Sequence, residues 1–260
     1  MEDNKFITAV SKAMDIIELL DSVGPMGISE ISRHLGLAKS GVHKTLNTLK
    51  ARHYVRQDPV TQKYANSYKF FSIGSNVVQN TSLPQMASPF MLKISQSIKC
   101  SANLAVLQDQ SVYCIHRIET DATVKVTIKT GQVVPLHCSG LGKALTFLRP
   151  YDELKALFQG YHFEKCTHNT IDNFEDLAKE LAVSKERGYS VDDEEHNLGI
   201  MGIAAPVCDD KGRPMAALSA AMALMAHNER PDPHTIGPLM RQIAGELTVY
   251  LGGRPAAYGR

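Results

Sequence analysis

The residues of this 260-residue chain that could do chemistry gather in four places. The first is Leu136-His137-Cys138-Ser139-Gly140-Leu141-Gly142-Lys143, which reads as a strand end running into a helix. A glycine-rich turn exposes backbone N–H groups and a helix N-terminus adds partial positive charge, so the turn suits an anion such as a carboxylate. It is not a Walker A loop, because the position five before Gly142 is His137 rather than Gly. Cys138 or Ser139 beside His137 raises the question of a nucleophile and its base. Neighbours on a strand point to opposite faces, which disfavours a Cys138–His137 dyad. The second place is Gly188-Tyr189-Ser190-Val191-Asp192-Asp193-Glu194-Glu195-His196. Its acids and histidine are donor types for a metal, but a solvated or helix-capping acidic turn is the plainer reading.

The third place is a pair of strands, Gly199–Val207 and Met215–Ala223, joined by the turn signal Asp209-Asp210-Lys211-Gly212-Arg213-Pro214. Alternation puts Ile200, Gly202 and Ala204 on one face, and Ala217, Ser219 and Ala221 on the matching face. Core packing alone explains such a pattern. The fourth place is a helix ending near Ala51. Val42, Thr45, Leu46 and Leu49 share one face, and Ser40, His43, Lys44 and Asn47 fall within about 100° on the opposite one. A recognition helix needs this division, with apolar residues to seat it and short polar or basic residues to reach base edges. Lys39 and Lys50 flank the stripe, within reach of phosphate.

The elements around that helix fit the same reading. Thr8 to Asp21 has helical spacing through Val10, Met14, Ile17 and Leu20, and Gly24-Pro25 stops it. Ser29 is a candidate cap for a second helix that Gly36 ends. A three-residue turn, Gly36-Leu37-Ala38, then gives helix-turn-helix spacing. Two short strands, His53–Gln57 and Gln62–Ala65, flank an Asp-Pro turn and predict a wing. Arg56 and Lys63 would lie beside the DNA backbone or minor groove.

Charge supports this division of labour. The net charge is +1, yet from Ile31 to Lys69 eight Lys/Arg face one acid, Asp58. From Thr81 onward 18 Lys/Arg face 20 Asp/Glu. A basic block on a near-neutral body suggests a polyanion-binding module joined to something else. Hydrophobic residues at 43% and charged residues at 21% allow two cored domains. No apolar run reaches the ~18 residues of a membrane span. Five cysteines without a CxxC pair argue against a disulfide framework or a thiolate zinc site, and the polar N-terminus lacks a signal-peptide core. The expected location is therefore the cytoplasm, and neither a metal nor a cofactor is expected.

The stretches ISEISRHLGLAKSGVHKTLNTLKARHYV and QKYANSYKFFSIG resemble the IclR family of transcription regulators. The family pattern has Thr where this chain has Gly41, and Arg where it has Lys44. Gly41 weakens the helix by up to about 1 kcal/mol relative to Ala, and Lys44 keeps the charge without Arg's bidentate fork. The resemblance makes the helix expected at Ser72 to Asn80 a linker between the two domains. Beyond it, helices are expected at Pro84–Lys99, Asp152–Phe158, Phe174–Arg187 and Thr235–Leu251. Further strands are expected at Asn103–Leu107, Val112–Ile118 and Thr123–Thr130. The fold class is α+β: a winged helix-turn-helix over residues 1–70, a linker helix over 71–83, and a GAF-like effector-binding domain with a mixed sheet over 84–260.

The resemblance also assigns roles. It aligns Gly140 and Leu141 with backbone donors that hold an acid group. Asp192 points into the effector pocket, and Ile200, Gly202, Ser219 and Ala221 line it. An Asp there can accept a hydrogen bond from a ligand hydroxyl or share a proton with the acid. Small-acid sensors of the family tend to carry Cys at position 202 and Ser at both 219 and 221. Loss of the thiol and one hydroxyl makes the expected site roomier and less polar, suited to a larger acid than glyoxylate or pyruvate. Val126 and Val134 are expected to add apolar walls. The implied function is a ligand-responsive repressor of a catabolic operon, a homodimer or tetramer on palindromic operator DNA. The alternatives are a small-molecule hydrolase with an accessory nucleic-acid-binding domain and a structural nucleoid-type protein. No nucleophile–base pair supports the hydrolase, and a ligand-domain-sized module has no purpose in the nucleoid protein.

Overall fold

The computed structural model describes residues 6–79, 82–119, 128–227 and 229–258. They fall into two compact units, residues 1–81 and 82–260. No helix among the described residues is long and apolar enough to cross a membrane.

The first unit comprises α1 (Thr8–Val23), α2 (Ile28–Leu35), α3 (Lys39–Ala51), β1 (Val55–Gln57), β2 (Tyr64–Asn66) and α4 (Lys69–Gln79). Ile16, Leu20, Ile31, Val42, Leu46, Leu49, Val55 and Tyr64 form its core. On α1 the buried face runs through Ile16 and Leu20; the expected inner positions Val10 and Met14 are exposed. This helix carries apolar residues on more than one face, and α2, α3 and β2 cover only one of them. Ser29 is not the cap of α2. Gly27 holds that position, its N–H donating to Glu30 Oε2 at 2.7 Å, so a carboxylate three residues on does the capping. Gly36, at φ +64°, ends α2 in the left-handed region that glycine permits.

The wing is shorter than its sequence suggests. Strands β1 and β2 pair antiparallel through Val55↔Asn66, Arg56↔Ala65 and Gln57↔Tyr64. Asp58 Oδ1 closes the turn by accepting the N–H groups of Thr61 at 2.7 Å and Val60 at 2.9 Å. Those bonds hold its carboxyl below the usual range, Thr61 contributing most. Tyr64 also bridges to Met26, which ties the wing to the α1–α2 connection.

The second unit comprises α5 (Leu83–Ile98), β3 (Ser101–Gln108), β4 (Ser111–Ile118), β5 (Val133–Val134), α6 (Gly140–Thr146), α7 (Tyr151–Leu157), α8 (Phe174–Arg187), β6 (Ser190–Asp193), β7 (Ile200–Cys208), β8 (Pro214–Ala223) and α9 (Pro233–Tyr250). Its six strands run in the order β5-β4-β3-β8-β7-β6. The fold class is α+β, but every pairing among the described strands is antiparallel, where a mixed sheet was expected. The expected strand at 123–130 lies mostly outside the described residues, and its described end, 128–130, is not a strand. Strand β6 was unexpected, because two acids in four residues hide its period.

The two sheet faces differ in side-chain size. Leu104, Ile203, Leu218 and Met222 meet Met91, Ile94, Ile243 and Leu247 of α5 and α9. The other face presents Ala105, Ala204 and Ala217 to α6 and, beyond it, to Leu177 and Leu181 of α8. Small residues let α6 approach closely: a Cβ on Gly140 would lie 3.1 Å from the Gly202 carbonyl oxygen. Gly142 is needed for a different close approach, that of the segment leading into α6, since a Cβ there would sit 2.2 Å from the Leu136 carbonyl oxygen.

Candidate functional site

Two surfaces concentrate the residues singled out from sequence. On α3, Lys39, Ser40, His43, Lys44, Asn47 and Lys50 are all exposed, opposite the buried Val42, Leu46 and Leu49. Asn47 and His43 stand one turn apart with side chains 3.4 Å from each other. Arg56 is exposed on the wing. Two of these cations already have partners. Lys50 donates to Gln57 Oε1 at 2.8 Å, and Lys63 lies 3.6 Å from Glu30. Both contacts are exposed and weak, so neither fixes its side chain.

In the second unit, Gly140, Leu141, Asp192, Ile200, Gly202, Ser219 and Ala221 line one cavity, together with Ile128, Val134, His196 and Asn197. Val126, the remaining expected residue, lies outside the described residues. Register explains the convergence. Asp192 pairs with Gly202, and Gly202 with Ala221, so three strands place these residues in one row. Ser219 lies two residues from Ala221, on the same face. Helix α6 delivers Gly140 and Leu141 from above; first-turn N–H groups have no partner within a helix. Ser139 caps α6 by accepting from the Gly142 N–H at 3.0 Å.

The cavity is tight. It leaves about 30 Å³ for the centres of water-sized atoms, room for a water or two. The missing thiol at 202 and hydroxyl at 221 therefore do not translate into open space. A Cβ on Gly202 would lie in ordinary contact with Asp192, 3.4 Å from its Cβ, so Asp192 borders that space. Larger grooves elsewhere, of about 530 and 520 Å³, lie open on the surface and gather fewer convergent polar groups.

The acidic run splits by direction. Asp193 is exposed and Glu194 partly so, and both pair with Arg230. Asp192 and Glu195 turn inward, where Glu195 forms a buried ion pair with Lys143 of α6. Asp192 Oδ1 accepts the N–H groups of Glu195 at 2.9 Å and His196 at 3.2 Å. Burial pushes the Asp192 carboxyl up to about 7, partly offset by Lys143. Burial also raises Glu195, against the pull of the same lysine. The Lys143–Glu195 pair was not legible beforehand, because its partners lie 52 residues apart on a helix and a loop.

The nucleophile question also resolves. His137 meets the Tyr161 hydroxyl at 2.9 Å and the Glu164 carbonyl at 3.0 Å, and burial lowers its pKa. The Cys138 thiol points away to Cys166, with 3.9 Å between sulfurs, and burial raises its pKa well above the ordinary value. Among the described residues no His/Cys/Asp/Glu group has the clustering of a metal site.

Residues 9–59 match the IclR helix-turn-helix domain, and residues 75–248 match the bacterial transcriptional regulator IclR C-terminal domain. The chain is 31% identical over 223 residues to the HTH-type transcriptional regulator KdgR of Escherichia coli, covering 86% of this chain and 85% of KdgR. It is 30% identical over 245 residues to the HTH-type transcriptional repressor AllR of the same species, covering 94% and 90%. Among solved structures, an IclR homolog from Microbacterium hydrocarbonoxydans complexed with 4-hydroxybenzoate shares the fold at TM-score 0.78. It is 19% identical, and the match covers 94% of this chain and 99% of that one.

Proposed function

This chain belongs to the IclR family of bacterial transcription regulators, and we propose that within it the chain is a repressor of a catabolic operon, released or retained by a small organic acid. It is a DNA-binding regulator and not an enzyme. The finer reading assigns operator contacts to α3, with Ser40, His43, Lys44 and Asn47 facing bases and Lys39, Lys50, Arg56 and Lys63 near phosphate. It assigns the acid to the cavity under α6. There the N–H groups of Gly140 and Leu141 would receive the carboxylate, and Asp192 and Ser219 would orient the remainder. Ile200, Gly202, Ala221 and Val126 would bound it.

The observation that supports this most is the cavity itself: residues from α6, β6, β7 and β8, far apart in sequence, converge on one mostly apolar space that Asp192 and Ser219 also line. A space this narrow favours compact acids over ring-bearing ones. The regulator would act as a dimer or a pair of dimers on a two-fold operator. Its acid must bind the DNA-competent and DNA-incompetent states with different affinity; a hundredfold ratio corresponds to about 2.7 kcal/mol. Selection of genomic fragments by the full chain, followed by gel shift across acids graded from glyoxylate to 4-hydroxybenzoate, tests the reading. One acid should shift operator affinity at least about tenfold. A flat response across the panel counts against the acid.

A further inference from the structure

The cavity wall carries a polarity that its lining residues alone do not reveal. Strand register places Ser190, Ala204, Ser219, Asn103 and Arg117 in one row across β6, β7, β8, β3 and β4. Three neighbours in that row are linked. Arg117 Nη1 donates to Asn103 Oδ1 at 3.4 Å, and Asn103 Nδ2 donates to Ser219 Oγ at 3.2 Å. Asn103 is fully buried and Ser219 nearly so. The guanidinium has donors only, so the amide atom facing it must be the oxygen. The amide nitrogen therefore faces Ser219, and the Ser219 oxygen must accept. No acceptor for the Ser219 proton is found among the described residues, and Ser219 lines the cavity. Arg117 Nη1 also donates to the Ile128 carbonyl at 3.0 Å, so the same cation anchors a second lining residue.

We propose that Arg117 and Asn103 are positioning residues that keep the Ser219 proton free for the cavity, so that this wall offers a hydrogen-bond donor and favours an acceptor oxygen of the ligand. This deepens the acid-sensing reading and rests on it. The ligand group favoured at Ser219 is a carboxylate or an oxo oxygen, which only accepts. Asp192, on the other side of Gly202, is the place for a ligand proton.

The test is calorimetry on the full chain with 2-oxo acids of three to six carbons, each beside its 2-hydroxy counterpart. Wild type should bind at least one acid. Arg117→Met lets the amide turn over and capture the Ser219 proton, and should weaken that acid by about 10- to 100-fold. Arg117→Lys restores a donor cation and should stay within about threefold of wild type. In a Ser219→Ala background, Arg117→Met should add less than about twofold, because both changes remove one hydrogen bond. Asn103→Asp is nearly isosteric, keeps its pairing with Arg117 and takes the Ser219 proton. It should weaken binding as much, and it decides the matter if Arg117→Met does not fold. A tenfold preference for oxo members marks the oxo oxygen as the acceptor at Ser219; equal binding marks the carboxylate. An Arg117→Met loss undiminished in the Ser219→Ala background, or wild-type affinity in Asn103→Asp, overturns the relay and leaves the acid reading standing. Failure of every one of these acids to bind wild type overturns the relay, and failure of glyoxylate and 4-hydroxybenzoate as well overturns the acid reading.

Discussion

Asp192 shows most clearly how the fold changes a residue's chemistry. In the folded chain its carboxyl keeps a proton to about pH 7, against an ordinary value near 3.9. Between those values the folded state binds more protons than the unfolded state. Its stabilising effect is complete below the unfolded value and is lost as pH rises through about 7. Asp192→Asn should flatten that limb of the stability profile by up to about 1.4 kcal/mol per pH unit. Some slope should remain, because Glu195 is raised in the same direction. Urea unfolding across the weakly acid to neutral range measures it, and an unchanged slope would show that burial does not hold the proton. Ala221 offers a test of volume. Leu there adds three carbons to a space of about 30 Å³, so acid binding should fall by more than about tenfold while operator affinity stays put.

At the scale of elements, α3 divides its work by face. Val42, Leu46 and Leu49 are buried, whereas Asn47 and Arg56 are exposed. Asn47→Ala and Arg56→Ala should therefore leave stability within about 0.5 kcal/mol and act on DNA alone. Asn47→Ala should cost about 1–3 kcal/mol on the specific operator and relax base preference at one position. Arg56→Ala should weaken all sequences alike and reduce the salt slope by about one. Footprinting and salt titration separate the two, and identical profiles for both variants would refute the assignment of α3 to the major groove. The period of α3 was legible in sequence because i, i+3 and i+4 neighbours are set by the helix itself. The inner face of α1 was not legible, because Val10 and Ile16 are equally apolar and only packing chooses between them.

The whole molecule consists of two compact units, residues 1–81 and 82–260, each with its own core. Scanning calorimetry should resolve two transitions. An acid that binds the cavity should raise only the transition of the second unit, by about 2.7 kcal/mol of stability at a hundredfold excess over Kd. A single transition moved as one would mean that the units unfold together. Charge acts at this scale too: the basic stretch from Ile31 to Lys69 lies wholly within the first unit. DNA affinity should follow its ionic-strength dependence, and acid affinity should not.

The amino-acid sequence alone determined which residues form the polar face of α3, the order of the helices around it, and that a glycine-rich turn and an acidic run stood ready in the second half. Those features depend on neighbours within one element, where local geometry sets the spacing. Only the tertiary structure decided that Asp192, Gly202 and Ala221 share a row, that Glu195 finds Lys143, and that Arg117 reaches Ser219 through Asn103. Each of these depends on strand register and on how closely α6 approaches the sheet. Register between distant strands is chosen by the packing of the whole core, and a pattern confined to one strand does not contain it.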